Sequence, residues 1–89
     1  MFLWTKDNRT HIEARHQVTV AEVEEVFYNN PLLRVSNSQP NEPKRYLAFG
    51  QTDEGRYLMV VFVKAAHGRI KPFSAREMTA VEKRKYSKR

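Results

Sequence analysis

The chain has 89 residues, no cysteine, and 16 Lys/Arg against 10 Asp/Glu, a formal net charge of +6. That length suits one hydrophobic core, hence a single domain over residues 1–89, and the missing cysteines exclude a disulfide framework, a thiolate nucleophile and a zinc–cysteine site. No apolar run is long enough to span a bilayer, and residues 1–7 lack the basic and apolar regions of a signal peptide, so the expectation is a cytoplasmic protein with no membrane role.

Phe2-Leu3-Trp4 is a short apolar start, read as a brief strand or an anchor for the first helix. Thr5 can cap a helix over Lys6 to His16, whose apolar members are Ile12 and Ala14. A helix this polar lies on the surface and depends on Trp4 and Ile12 for its order. Thr19-Val-Ala-Glu22 is a capping box, and the second helix runs to about Tyr28 with Val23, Val26 and Phe27 as its buried stripe. Asn29-Asn30-Pro31 ends it. Leu32–Val35 reads as a short strand. Ser36 to Pro43 is a polar loop with two prolines, the segment expected to move most.

The sheet follows. Arg45 to Gln51 alternates, with Leu47 and Phe49 on one side and Tyr46 and Ala48 on the other. Thr52-Asp-Glu-Gly55 is a reverse turn. Arg56 to Lys64 is apolar on both faces and should be the central, doubly covered strand. Ala65 to Gly68 turns the chain, and Arg69 to Ser74 returns as the last strand, bulged or missing a donor at Pro72. A tight turn is expected to hold Ser74, Ala75 and Arg76. Thr79-Ala-Val-Glu82 is a second capping box, opening a helix whose sizeable apolar groups are Val81 and Tyr86. The class is α+β: two N-terminal helices and a C-terminal helix packed around a three- to four-stranded antiparallel β-sheet.

The charge is one-sided. Residues 1–55 carry six Lys/Arg and eight Asp/Glu; residues 56–89 carry ten Lys/Arg and only Glu77 and Glu82. A basic half of this kind favours a polyanion, and a solvated face or an acidic protein partner is the plainer alternative. His11 and His16 stand roughly 140° apart around a helix, so they do not form a metal pair, and no carboxylate clusters near them. No metal or other cofactor is expected. No phosphate loop, dinucleotide fingerprint or nucleophile elbow is present.

What remains is cationic chemistry. RNA can be cut without a metal when its 2′-hydroxyl attacks the adjacent phosphate and the enzyme supplies alignment, charge stabilisation and proton transfer. Arg76, just before a helix, suits phosphate stabilisation, or it pairs with Glu77 or Glu22 to lock the junction. His16 suits a general base near neutral pH, or it is a surface residue. Tyr86 acts directly, or its ring packs the last helix on the sheet. Lys83, Arg84, Lys85, Lys88 and Arg89 hold nucleic acid, or form a solvated run.

Taken together, these segments resemble the BrnT family of type II toxins, small ribonucleases with a RelE/ParE-like fold. The resemblance rests on Trp4, on Arg15-His16-Gln17-Val18-Thr19, on Glu22–Phe27, on Arg45–Gly50 with Gly55–Phe62, and on Ile70 to Tyr86. It implies metal-free RNA cleavage, neutralisation by a BrnA-type antitoxin, and binding of operator DNA indirectly, through the antitoxin complex. Carried over by position, Arg15, His16, Arg76 and Tyr86 are the candidate catalytic residues. Arg69 and Lys71, alternating on one side of the last strand, join Lys83 and Arg84 as candidate RNA contacts. The chain departs from the family pattern at Thr5 (commonly Asp), Asn8 (Lys), Ile12 (Asn) and Gln17 (Gly). A non-catalytic basic module that associates with an antitoxin-like protein or nucleic acid is the alternative function.

Overall fold

The computed structural model describes residues 1–36 and 39–88. Asn37 and Ser38 of the polar loop, and Arg89 of the basic run, lie outside the described residues. The elements are α1 (Lys6–His16), α2 (Val20–Tyr28), β1 (Leu32–Val35), β2 (Tyr46–Gln51), β3 (Tyr57–Lys64), β4 (Ile70–Glu77) and α3 (Ala80–Ser87), with a 3-10 turn at Ala66–Gly68. The sheet is an antiparallel meander in the order β1-β2-β3-β4.

The helix starts follow their caps. Thr5 accepts from the Asn8 N–H at 3.1 Å, and Thr19 and Thr79 each form a complete capping box, with Glu22 and Glu82. The apolar start is an anchor that also touches the sheet: Leu3 donates to the Ile70 carbonyl and Ile70 donates back to Met1, so residues 1–3 shield the β4 edge. Trp4 Nε1 donates to Glu24 at 2.9 Å and ties this anchor to α2.

Strand alternation divides the apolar residues between two cores. Ala48, Leu58, Val60, Phe62 and Ala75 face α1 and α2, packing with Ile12, Val18, Val23 and Val26. Met59 faces the other way, against Met78 and Tyr86, with Leu32, Leu47, Phe49, Tyr57 and Val61 around them. The outer face, as we call it below, is this second one, and α3 covers one end of it. Burying a residue such as Leu58 or Val60 is worth roughly 1.5–3 kcal/mol, so a doubly faced β3 contributes heavily.

The last strand is longer than its sequence suggests. Ser74, Ala75 and Arg76 are not in a turn: they pair with Val61, Val60 and Met59, and Glu77 pairs with Leu58. Met78 prolongs this edge by donating to the Tyr57 carbonyl at 3.1 Å. The turn is thus compressed into Met78 and the cap Thr79. The irregularity at Pro72 is a bulge: Pro72 stands opposite Phe62, Ser74 opposite Val61, and Phe73 is the extra residue.

Two backbone positions make predictions. Gln17, at the end of α1, has φ 54° and ψ 40°, the left-handed conformation that glycine adopts most cheaply. This is one of the departures from the resemblance noted above, which implies glycine here. Gln17→Gly should raise stability by about 0.5–1 kcal/mol, read as a higher midpoint in denaturant. At Gly50 an added Cβ would lie 3.0 Å from Val26 Cγ1 and 3.2 Å from the Val26 carbonyl oxygen, because α2 rests directly on the β2 backbone. Gly50→Ala should therefore cost about 1–3 kcal/mol in the same measurement.

Candidate nucleic-acid interface

The outer face is built in rows. Leu32, Phe49, Met59 and Arg76 stand opposite one another across the four strands, and the next row is Arg34, Leu47, Val61 and Ser74. Beyond the bulge, Val63 stands opposite Lys71. Tyr86 of α3 packs over Met59 in the first row. Beside α3 a hollow of about 350 Å³ opens, with Arg34, Leu47, Phe49, Lys85 and Tyr86 in its wall. Further along, a second hollow of about 230 Å³ is walled by Asn8, Arg45, Val63, Lys71 and Phe73. The Arg45 guanidinium lies over the Phe73 ring, 5.1 Å from its centre, and makes only a loose contact with Glu42 at 3.9 Å. A cationic rim around aromatic and aliphatic side chains is a surface on which phosphates are neutralised and bases can stack.

Arg76 reaches this face but is already engaged. Its Nη1 and Nη2 donate to the two oxygens of Glu82 at 2.8 and 2.9 Å, and Nη1 also donates to the Glu77 carbonyl at 3.0 Å. The partner expected from the sequence was Glu77 or Glu22. It is Glu82 because Arg76, as a strand residue, points to the α3 side, where the capping glutamate waits. Glu22 instead receives Arg56, at 3.1 and 3.2 Å from Nη1. Arg56 also reaches the Glu77 carboxylate and the carbonyls of His16 and Gln17. Each capping glutamate thus has two tasks, closing a helix start and pairing with a strand-end arginine.

The ionisation follows from those contacts. The Arg76 guanidinium holds the Glu82 carboxyl below its ordinary value of about 4.5; burial opposes this, and the Thr79 N–H assists. Burial acts most strongly on Glu22 and in the opposite sense, yet the Thr19 N–H and Arg56 together outweigh it, so its value is also lowered. Arg76 is raised chiefly by its bond to Glu82, and Arg56 is raised by Glu22 and Glu77 against burial.

The remaining sequence candidates fall into groups. Arg15 and His16 are exposed at the end of α1, and the Arg56 bridge from His16 to Glu77 puts them at the Arg76 end of β4 but on the helix side of the sheet, so Arg76 and these two are not brought together. Tyr86 is buried at the same end, edge-to-face with Tyr57 at 6.0 Å, so the packing role read for its ring is met. The Lys83 ammonium lies 5.5 Å above the Tyr57 ring, and Arg84 is exposed on α3. Arg69 and Lys71 sit at the opposite end of β4, roughly 20 Å along the strand. The expectation that these two share one side does not hold. Lys71 lines the hollow with Arg45, whereas Arg69, leaving the 3-10 turn, lines a hollow on the helix-covered side. Arg34, Arg45 and Ser74 were missed as site residues. Their signal was strand alternation, since Arg45 is two residues from Leu47 and four from Phe49.

The positions where the chain departs from the pattern implied by the resemblance have local explanations. Thr5 caps α1, a task aspartate does equally well. Ile12 is fully buried in the first core. Asn8 carries a buried Nδ2 with no hydrogen-bond partner, in the hollow shared with Arg45 and Lys71. Among the described residues no group of three or more His, Asp or Glu could hold a metal ion, and no helix is long and apolar enough to cross a membrane.

A small antiparallel sheet with two helices behind it, one short helix in front and cations in or beside three strands on its open front defines a compact α+β protein with a cationic face. A family model described as the ribonuclease toxin BrnT of type II toxin–antitoxin systems matches residues 4–82. The chain belongs to that family, and is a ribonuclease toxin whose system includes an antitoxin. Among solved structures it is similar to the Brucella abortus ribonuclease toxin BrnT, with a TM-score of 0.61 and 18% identity over 88% of this chain and 95% of that one. At that identity the likeness is one of fold. No curated protein sequence matches the chain.

The lowered carboxyls set a pH dependence. Their folded values lie below their unfolded ones, so the stability they contribute is complete above about pH 4.5 and is lost as pH falls through the folded values. Thermal midpoints measured from pH 7 downward should hold to about pH 5 and then fall. Glu22→Gln and Glu82→Gln should each start lower at pH 7 and fall less steeply.

Proposed function

We propose that this chain cleaves RNA in the cytoplasm without a metal, by attack of a ribose 2′-hydroxyl on the adjacent phosphate, with the RNA laid across the outer face of the sheet. The observation that carries this reading is the convergence of Arg34, Arg45 and Lys71, from or beside three different strands, on the uncovered part of that face. Lys83, Arg84 and Lys85 extend the positive margin along α3. Phosphate contacts of this kind fix the register of the strand, while apolar side chains such as Phe49 and Phe73 accept bases.

The scissile phosphate belongs at the Arg76 end. Arg76 offers a planar fork that fits a phosphate as it fits Glu82, so an incoming phosphate competes with that carboxylate. Arg15 and His16 stand at the same end but on the helix side of the sheet, where they add positive charge around that end, and Tyr86 borders the hollow. A BrnA-type antitoxin neutralises the chain, and operator DNA is bound through that complex.

Incubating folded protein with RNA in excess chelator tests the chemistry. The expected product carries a 2′,3′-cyclic phosphate, and expression alone should arrest growth. RNA left intact would refute cleavage and leave the binding-module reading. Arg76→Ala should lower cleavage by about 100-fold, as loss of a donor to developing charge does. Glu82→Gln preserves the capping box and releases the guanidinium, so it should retain cleavage. Equal loss in both variants, in step with their thermal midpoints, would make Arg76 a clamp only.

A further inference from the structure

A hollow of about 720 Å³ lies on the opposite side of the sheet from the proposed RNA face. Its floor and walls are Phe27 of α2, Leu33 and Val35 of β1, Tyr46 of β2 and Phe62 of β3. It exists because two helices do not suffice to cover four strands. α1 packs along β4 and α2 over β2 and β3, which leaves the β1 side bare. Leu33 is 51% exposed and Val35 59%, both on this side by register with Ala48 and Tyr46. Tyr46 stacks on Phe62 with ring centres 5.5 Å apart, so the floor is largely aromatic.

The charged residues that line the hollow are Arg34, Lys64 and Arg69, all basic. The Lys64 ammonium rests 4.8 Å above the Tyr46 ring, and Arg69 stands at the turn into β4. The hollow crosses the strands rather than following one: Val35 is opposite Tyr46, Tyr46 opposite Phe62, and Lys64 opposite Ile70. An occupant lying along it runs beside α2, in the place of a third helix of that layer. A second copy of this chain would bring another +6 to a basic rim, which like charge opposes.

We infer that this hollow is the docking groove for an amphipathic helix of the antitoxin, with apolar side chains on Leu33, Val35 and Tyr46 and acidic ones against Arg34, Lys64 and Arg69. The inference rests on the antitoxin partnership proposed above and names where it is anchored. Apolar anchors at the centre supply the affinity and the cationic rim supplies register. Arg69, read from the sequence as an RNA contact, then serves the antitoxin instead. The groove and the RNA face lie on opposite sides of the sheet and share only Arg34, at the β1 edge.

The chain contains no cysteine, so single-cysteine variants report directly. Leu33→Cys is placed in the groove, and Val81→Cys, at an exposed position on α3, is the control. Maleimide labelling is followed alone, with short single-stranded RNA, and in complex with the protein encoded beside this chain, purified by co-expression. The complex should slow labelling of Leu33→Cys by about tenfold or more and leave Val81→Cys little changed. Leu33→Asp/Val35→Asp, at two exposed positions, should keep its thermal midpoint and RNA cleavage while binding the partner about 100-fold more weakly. Unaltered labelling in the complex, or full affinity in the double variant, would overturn the groove. So would protection that needs only RNA, or only a higher concentration of the chain itself. If wild type does not bind the co-expressed protein at all, the antitoxin reading itself fails and the groove fails with it.

Discussion

Everything in this fold is arranged around a strand that must be buried on both sides. β3 offers Leu58, Val60 and Phe62 to one layer and Tyr57, Met59 and Val61 to the other. A sheet with such a strand at its centre needs cover on two faces, and the chain has three short helices to provide it. Coverage goes to β4 from α1 and to β2 and β3 from α2, while Tyr86 of α3 helps seal the second core. The parts of β1 and β2 farther out are left to solvent on both sides. The two surfaces with functional promise are these uncovered remnants, and their positions follow from a shortage of helix rather than from any added element.

The two remnants differ in chemistry because neighbouring residues of a strand point opposite ways. In β1, Leu33 and Val35 go to one side and Leu32 and Arg34 to the other. The result is an apolar floor on the helix side and a mixed basic and apolar floor in front. Arg34 contributes to the rim of both, since β1 is the sheet edge and its long side chain can be reached from either direction. A four-residue edge strand thereby divides two chemically different surfaces.

Much of this was readable from residue order. The four strands, both capping boxes and the side-assignment of Tyr46, Leu47, Ala48 and Phe49 follow from period-two alternation and from the Thr-x-x-Glu pattern, which are local signals. The bulge at Pro72 was readable because proline cannot donate. Ser74-Ala75-Arg76 was misread as a turn because small and charged residues after a proline carry no strand signal of their own. They are held extended by pairing with β3, which lies more than ten residues away. The same error hid the partner of Arg76: a residue placed in a turn has many possible acids, while one placed on the α3 face of β4 has Glu82. Arg34 and Arg45 escaped notice for a related reason. Each is an ordinary strand-end arginine until the sheet aligns them with Lys71, and that alignment depends on register across separate hairpins.

The paired use of capping glutamates bears on how a polyanion would arrive. Arg56 and Arg76, the two arginines held most firmly in the fold, carry their own counterions, Glu22 and Glu82, at salt-bridge distance. Seen from several ångströms away, those two ion pairs add little net charge. The long-range field therefore comes from Arg34, Arg45, Lys71 and the α3 lysines, and it is that field which guides diffusion at moderate ionic strength. On the proposed reading, a nucleic acid would be drawn first to the open front of the sheet and would meet Arg76 only after contact, by exchanging one anion for another. Capture and engagement are then successive events, with capture sensitive to salt and engagement governed by short-range geometry.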